Sequence, residues 1–131
     1  MIEQMLIGKR VLVVEDEMLI LMAIEDMLAD HGCTSITAAA TVEKALALIE
    51  TEPFDFATLD INLDGHRSYS IARVLSERGI PFAFSTGYGE HGAGSSYGDR
   101  PVLNKPFTSK QLLAVLTRML RSPDPSPGSS S

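Results

Sequence analysis

A doubly wound α/β fold, with one five-stranded parallel sheet in the order 2-1-3-4-5 and helices on both faces, is the fold class this sequence predicts. Three observations carry that expectation. Short apolar runs and helix-spaced apolar stripes alternate five times along the chain, the pattern of βα units with right-handed crossovers. Each helical stretch carries one apolar stripe, which suits it to cover a sheet from one side. Five units are too few to close an eight-stranded barrel, which leaves the open sheet.

The first run, Val-Leu-Val-Val at 11–14, ends in Glu15-Asp16. Ile20, Leu21, Ile24, Met27 and Leu28 then follow helical spacing, and Gly32 suits the stop. A weaker strand is expected at 34–38. Thr41 is placed as an N-cap, Val42, Ala45, Leu46 and Ile49 share one face, and Pro53 ends that helix. The run at 56–59 ends in Asp60, and Ile71, Ala72 and Leu75 then form a stripe before Gly79. After Pro81 the run at 82–85 ends in Thr86, and the run at 101–104 ends in Lys105-Pro106. The Lys105-Pro106 bond is expected to be cis, since packing can select a form only about 0.5–1 kcal/mol above trans. Thr108-Ser109-Lys110-Gln111 reads as a capping box, opening a helix with Leu112, Leu113, Leu116, Met119 and Leu120 inward.

Two stretches break the pattern. Residues 87–100 hold Gly87, Gly89, Gly92, Gly94 and Gly98, so a fourth helix is expected to be short or disordered and the segment mobile. Residues 122–131 are rich in Ser, Pro and Gly without an apolar anchor, a composition that predicts a disordered tail. One domain over 1–121 is the expectation, consistent with 131 residues and 44% hydrophobic content. The net charge of −6 argues against direct nucleic-acid binding, which needs a basic patch. No apolar stretch approaches the roughly 20 residues of a membrane span, and no secretory signal opens the chain. A cytoplasmic setting without membrane insertion is expected. Cys33 is the only cysteine, so an internal disulfide is excluded and a small buried apolar role is expected.

Parallel strands in this order would bring their polar ends to one edge, where open α/β sheets place their sites. Glu15, Asp16, Asp60, Thr86 and Lys105 would then converge. Taken singly, each has a plain use: acids at a helix start favour its dipole, and a threonine before a glycine suits a turn. Together they form a set with one chemistry. A carboxylate that attacks a phosphoryl dianion needs a hard cation with oxygen ligands to neutralise charge. Asp16 and Asp60 would ligate Mg²⁺ directly, Glu15 would hold a metal-bound water, and the Asn62 carbonyl would complete the protein's share. Lys105 would pair with Asp60 and then with a phosphoryl oxygen, and Thr86 would donate to another.

Over about residues 9–121 the chain resembles the receiver domain of two-component response regulators. The motifs Val-Glu-Asp-Glu at 14–17, Leu-Asp-Ile-Asn-Leu at 59–63, Ser-Thr-Gly at 85–87 and Lys-Pro-Phe at 105–107 match in order and kind. The resemblance implies phosphorylation of Asp60 by a sensor histidine kinase or phosphotransfer protein. It also implies Mg²⁺ dependence, Thr86 as switch hydroxyl, signalling to a downstream protein, and no enzymatic activity beyond self-phosphorylation and dephosphorylation. Residues 81–87 and 100–107 resemble the single-domain subclass with a Phe-Ala-Thr-Gly-type motif, with Ser85 in place of its alanine. Val102 departs from the family, which usually has an aromatic residue there. Signalling is therefore expected through ordering of the glycine-rich segment, with Tyr88 or Tyr97 as compensating aromatics.

Three other readings compete. A receiver cut from a longer regulator with an output domain would share every motif. A phosphotransferase of the haloacid dehalogenase type would want a second Asp where this chain has Asn62. A flavin binder would need a first loop that welcomes phosphate, and Glu15-Asp16-Glu17 would repel one.

Overall fold

The computed structural model describes residues 6–63, 65–87 and 100–121. Five strands form the main sheet: β1 (Arg10–Val14), β2 (Ser35–Ala39), β3 (Phe56–Asp60), β6 (Phe82–Thr86) and β7 (Val102–Asn104). All neighbours pair in parallel, in the order β2-β1-β3-β6-β7, which is the expected 2-1-3-4-5. Four helices are found among the described residues: α1 (Met18–Asp30), α2 (Val42–Thr51), α3 (Tyr69–Glu77) and α4 (Ser109–Arg121).

Strand alternation divides the core into two layers. Leu12, Val14, Ala57, Leu59, Phe82 and Phe84 pack with Ala45 and Ile49 of α2 and Ile71, Ala72 and Leu75 of α3. Val11, Val13, Phe56, Ala83 and Leu103 pack with Ile24 and Leu28 of α1 and Leu112, Leu116 and Met119 of α4. The central strands β3 and β6 are buried along their whole length, as a sheet covered on both faces requires.

Local signals set the helix ends. Thr41 accepts the Lys44 backbone N–H on its hydroxyl at 3.1 Å. Thr108 and Gln111 form the reciprocal box, with Gln111 N–H to Thr108 Oγ1 at 3.1 Å and Thr108 N–H to Gln111 Oε1 at 2.8 Å. After α1, Gly32 takes φ 91, a left-handed conformation that glycine adopts without Cβ strain. The Cys33 N–H then closes back on Leu28 O at 3.0 Å. The Lys105-Pro106 bond is cis.

The structure differs from the sequence reading at three places. β2 lies one residue later than expected, at Ser35–Ala39; it is an edge strand, and its mixed small residues carry little periodicity. A hairpin follows β3, with β4 (Asn62–Leu63) antiparallel to β5 (His66–Arg67). Two-residue strands are too short for an alternation signal. On α1 only Ile24 and Leu28 are buried, while Met18, Leu19 and Met22 are 66%, 82% and 51% exposed. That helix therefore carries apolar surface on its outer side as well. The expectations for a fourth helix, for mobility of the glycine-rich segment, for Tyr88 and Tyr97, and for the 122–131 tail fall on 88–99 and 122–131, outside the described residues.

Candidate functional site

The register brings the polar strand ends to one edge. Val14 pairs with Leu59, Asp60 with Ser85, and Thr86 with Asn104, so Glu15, Asp60, Thr86 and Lys105 end their strands at nearly one level. Backbone bonds extend the ladder beyond the strands: Glu15 N–H to Ala39 O at 3.0 Å, Ile61 N–H to Ser85 O at 3.0 Å, and Lys105 N–H to Thr86 O at 2.8 Å.

Asp60 is buried, and each of its oxygens has a donor. Oδ1 accepts the Asn62 N–H at 3.1 Å, and Oδ2 accepts Lys105 Nζ at 3.0 Å. The same ammonium lies 2.9 Å from Glu15 Oε1 and 4.0 Å from Glu17 Oε1. Glu15 is 1% exposed, and its Oε2 accepts the Glu17 N–H at 3.2 Å. Asn62 turns its side chain away from this cluster, since its Oδ1 accepts the Gly65 N–H at 2.8 Å. Thr86 is buried at the end of β6, its hydroxyl donating weakly to Gly87 O at 3.4 Å.

Burial pushes Glu15 up to about 7, and the nearby Asp60 charge adds to this, against the pull of the Lys105 hydrogen bond. Burial alone would lower Lys105, but its hydrogen bonds to Glu15 and Asp60 outweigh that and hold it above its ordinary value. The ammonium therefore stays charged while it faces more than one acid.

Glu15, Asp16 and Asp60 each offer a carboxylate oxygen, all within 4.8 Å of one another. An all-oxygen donor set with excess negative charge fits a small hard dication, which takes one or two carboxylates and keeps several waters. Asp16, the exposed member, leaves the cluster open to such hydrated ligands.

A pH dependence follows from Glu15. Its folded-state value lies above the 4.5 of an ordinary glutamate, so the folded chain holds that proton more tightly than the unfolded chain. Its contribution to stability is fully present below about 4.5 and is lost as pH rises through about 7. Glu15→Gln mimics the neutral form. In chelator, it is expected to flatten the stability decline between pH 5 and 8 and to raise the midpoint at pH 8, by no more than roughly 3 kcal/mol. Urea titrations at both pH values check this; a variant with the wild-type slope would mean that Glu15 titrates normally.

The structure thus gathers Glu15, Asp16, Asp60, Thr86 and Lys105, with the Asn62 backbone beside Asp60. Sequence reasoning paired Lys105 with Asp60 alone and missed its second ion pair, to Glu15. Spacing carries no signal for that contact, because it arises across β3 and β6, between the ends of β1 and β7. An apolar groove of about 370 Å³ adjoins the site, lined by Leu19, Ile20, Ala23, Met27, Pro106 and Phe107 as well as by Glu17 and Lys105. No helix among the described residues is long and apolar enough to cross a membrane.

Known proteins share this fold. SdrG from Sphingomonas melonis Fr1 superimposes with a TM-score of 0.79 at 42% identity, over 86% of this chain and 96% of that one. A CheY-like response regulator receiver domain protein from Methanospirillum hungatei JF-1 gives a TM-score of 0.77 at 27% identity, over 86% and 94%. The transcriptional regulatory protein DltR of Streptococcus agalactiae is 34% identical over 110 residues, 80% of this chain and 49% of that protein. The chain spans about half or less of the length of the curated relatives it matches. The model of the response regulator receiver domain matches residues 11–117. With the fold, the strand-end chemistry and that match in agreement, the chain belongs to the response regulator receiver domain family.

Proposed function

We propose that Asp60 accepts a phosphoryl group from the phosphohistidine of a sensor histidine kinase or phosphotransfer protein, in a Mg²⁺-dependent reaction, and that the modified domain signals by binding a protein. The observation that carries this reading is Lys105 Nζ at 3.0 Å from Asp60 Oδ2, with Glu15 and Asp16 completing an acid cluster around the same carboxylate. An Asp60 oxygen attacks phosphorus as the P–N bond to the donor imidazole breaks; the electron pair stays on that nitrogen, and an acyl phosphate forms. Lys105 moves from the carboxylate to a phosphoryl oxygen, and the Thr86 hydroxyl donates to another. Bound Mg²⁺ would supply positive charge to offset the excess negative charge of the acid cluster and the incoming phosphoryl group. Asp16 and Asp60 would hold it directly, with Glu15 orienting a bound water and the Asn62 carbonyl as a further ligand.

The domain acts on no substrate but its own aspartate. Its motifs at 81–87 and 100–107 support membership of the single-domain subclass with a Phe-Ala-Thr-Gly-type motif, and a cytoplasmic setting is the one in which such a kinase-fed domain works. Met18, Leu19 and Met22, exposed on α1 near the apolar groove beside Lys105, offer contact area for the donor.

A small phosphodonor such as acetyl phosphate tests the reading. With Mg²⁺, intact mass is expected to show one phosphoryl group per chain, and chelator should remove that gain. No adduct in the presence of Mg²⁺ would refute the function, and equal yield in chelator would refute the metal dependence.

A further inference from the structure

Asp60 closes β3, and the chain beyond it is held at both backbone groups of Ile61. The Ile61 N–H donates to Ser85 O at 3.0 Å, and the Ser68 N–H donates to Ile61 O at 3.0 Å. Between those anchors lies the β4–β5 hairpin, in which Asn62 pairs with Arg67 and Leu63 with His66. Leu63 is buried in the same core layer as Ile61. Asn62 serves this turn twice. Its N–H donates to Asp60 Oδ1 at 3.1 Å, and its own Oδ1 accepts the Gly65 N–H at 2.8 Å. Gly65 takes φ 87, a left-handed value that strains most side chains. A Cβ at this position would meet nothing within 4 Å, so the backbone conformation calls for glycine and crowding does not.

Strands of two residues cannot hold this geometry by pairing, because an isolated hairpin is marginal even when it is longer. Asn and Asp side chains that accept a nearby backbone N–H build a turn without a ladder. Two such bonds are chained here: Asp60 accepts from Asn62, and Asn62 accepts from Gly65. The first belongs to the site itself. Loss of the second would release the Asn62 backbone at the place where Asp60 has to receive a phosphoryl group. Groups held in position beforehand avoid an ordering cost during the reaction, and residues that orient a metal's ligands affect its affinity by the same means.

We propose that the Asn62 side chain and Gly65 act together as a positioning clasp for the phosphoryl-accepting site. By holding the Gly65 N–H, the Asn62 carboxamide fixes the turn, and the turn fixes the Asn62 N–H against Asp60. The side chain serves the site through its own backbone. This rests on Asp60 being the phosphoryl acceptor, and it gives the β4–β5 hairpin a part in that reaction.

The test uses the full chain as wild type, Asn62→Ala, Gly65→Val, Gly65→Asn and the double variant Asn62→Ala with Gly65→Val. Both changes at 65 add a side chain where a Cβ has open space, but asparagine tolerates the left-handed region and valine does not. Backbone amide shifts give the Mg²⁺ dissociation constant without phosphodonor, and intact mass gives the rate of adduct gain with acetyl phosphate. Asn62→Ala and Gly65→Val are each expected to weaken Mg²⁺ binding and slow the gain by about tenfold, the lower end for residues that orient a metal's ligands. The double variant should lose no more than either alone, since both changes break one turn. Gly65→Asn should stay near wild type in both measurements. The Gly65 amide should exchange more slowly in wild type than in Asn62→Ala. Wild-type constants and rates in Asn62→Ala overturn the inference, as do equal losses in Gly65→Asn and Gly65→Val or additive losses in the double variant. If Gly65→Val does not fold, Asn62→Ala and the Gly65 exchange rates decide. If the wild type gains no phosphoryl group, the mass spectrum shows that the underlying function has failed, and the positioning role falls with it.

Discussion

Asp60→Asn is expected to abolish the phosphoryl adduct while leaving the chain folded. An amide lacks the anionic oxygen that attacks phosphorus, and the two other carboxylates of the cluster are less suited to replace it. Asp60 and Glu15 each have one oxygen on the Lys105 ammonium and the other on a backbone N–H. Burial pushes Glu15 up to about 7, however, so that it is partly protonated at neutral pH. Among the described residues, Asp16 is exposed and lacks the Lys105 contact. Asn keeps an acceptor for Lys105 and is close to isosteric, so packing around Ile61 and Ser85 should survive. It also removes one charge from a cluster of like charges. In chelator the variant should therefore unfold at a urea concentration no lower than wild type. Added Mg²⁺ should stabilise it less than wild type, because ligand stabilisation follows affinity for the folded state. Intact mass and urea midpoints with and without Mg²⁺ check both parts. A full adduct on Asp60→Asn would show that the acceptor lies elsewhere.

Lys105→Met is expected to give the largest loss of stability of any single change at the site. Methionine roughly matches the length of the lysine stem but removes the ammonium from between Asp60 and Glu15, whose side chains are 7% and 0% exposed. Leaving one partner of a buried ion pair without the other costs about 3–5 kcal/mol, a large part of the roughly 5–15 kcal/mol that holds a domain folded. The cost should depend on pH in a definite direction. At pH 5 protonated Glu15 needs no cation, and the loss should be smaller. At pH 8 Glu15 is ionised in the wild type, and the loss should be larger, because the variant must either keep that charge without a cation or take up a proton. Mg²⁺ should recover part of it by supplying positive charge at the same place. Urea titrations at the two pH values, with and without Mg²⁺, measure each step. A cost below about 1 kcal/mol at pH 8 in chelator would mean that water already screens the two acids and that the lysine is not what holds them.

Local patterns in the sequence specify the architecture and place polar groups at the strand ends, where the candidate site lies. Alternating apolar runs and stripes at 11–14, 56–59 and 82–85 specify buried parallel strands, since short-range patterning reports which face of an element avoids water. The caps at Thr41 and Thr108, the stop at Gly32 and the strand-end groups Asp60, Thr86 and Lys105 could be read because each depends on residues close in the chain. Tertiary structure alone decided what these groups touch. The ion pair of Lys105 with Glu15, the turning of the Asn62 side chain to Gly65, and the edge contact of Tyr69 with Phe84 each depend on strand register and helix placement. The same holds for α1, where a regular apolar pattern concealed that Met18, Leu19 and Met22 face outward. Periodicity shows which residues can share a face, but only packing against the rest of the chain decides which faces lose contact with water and which charges must then find partners.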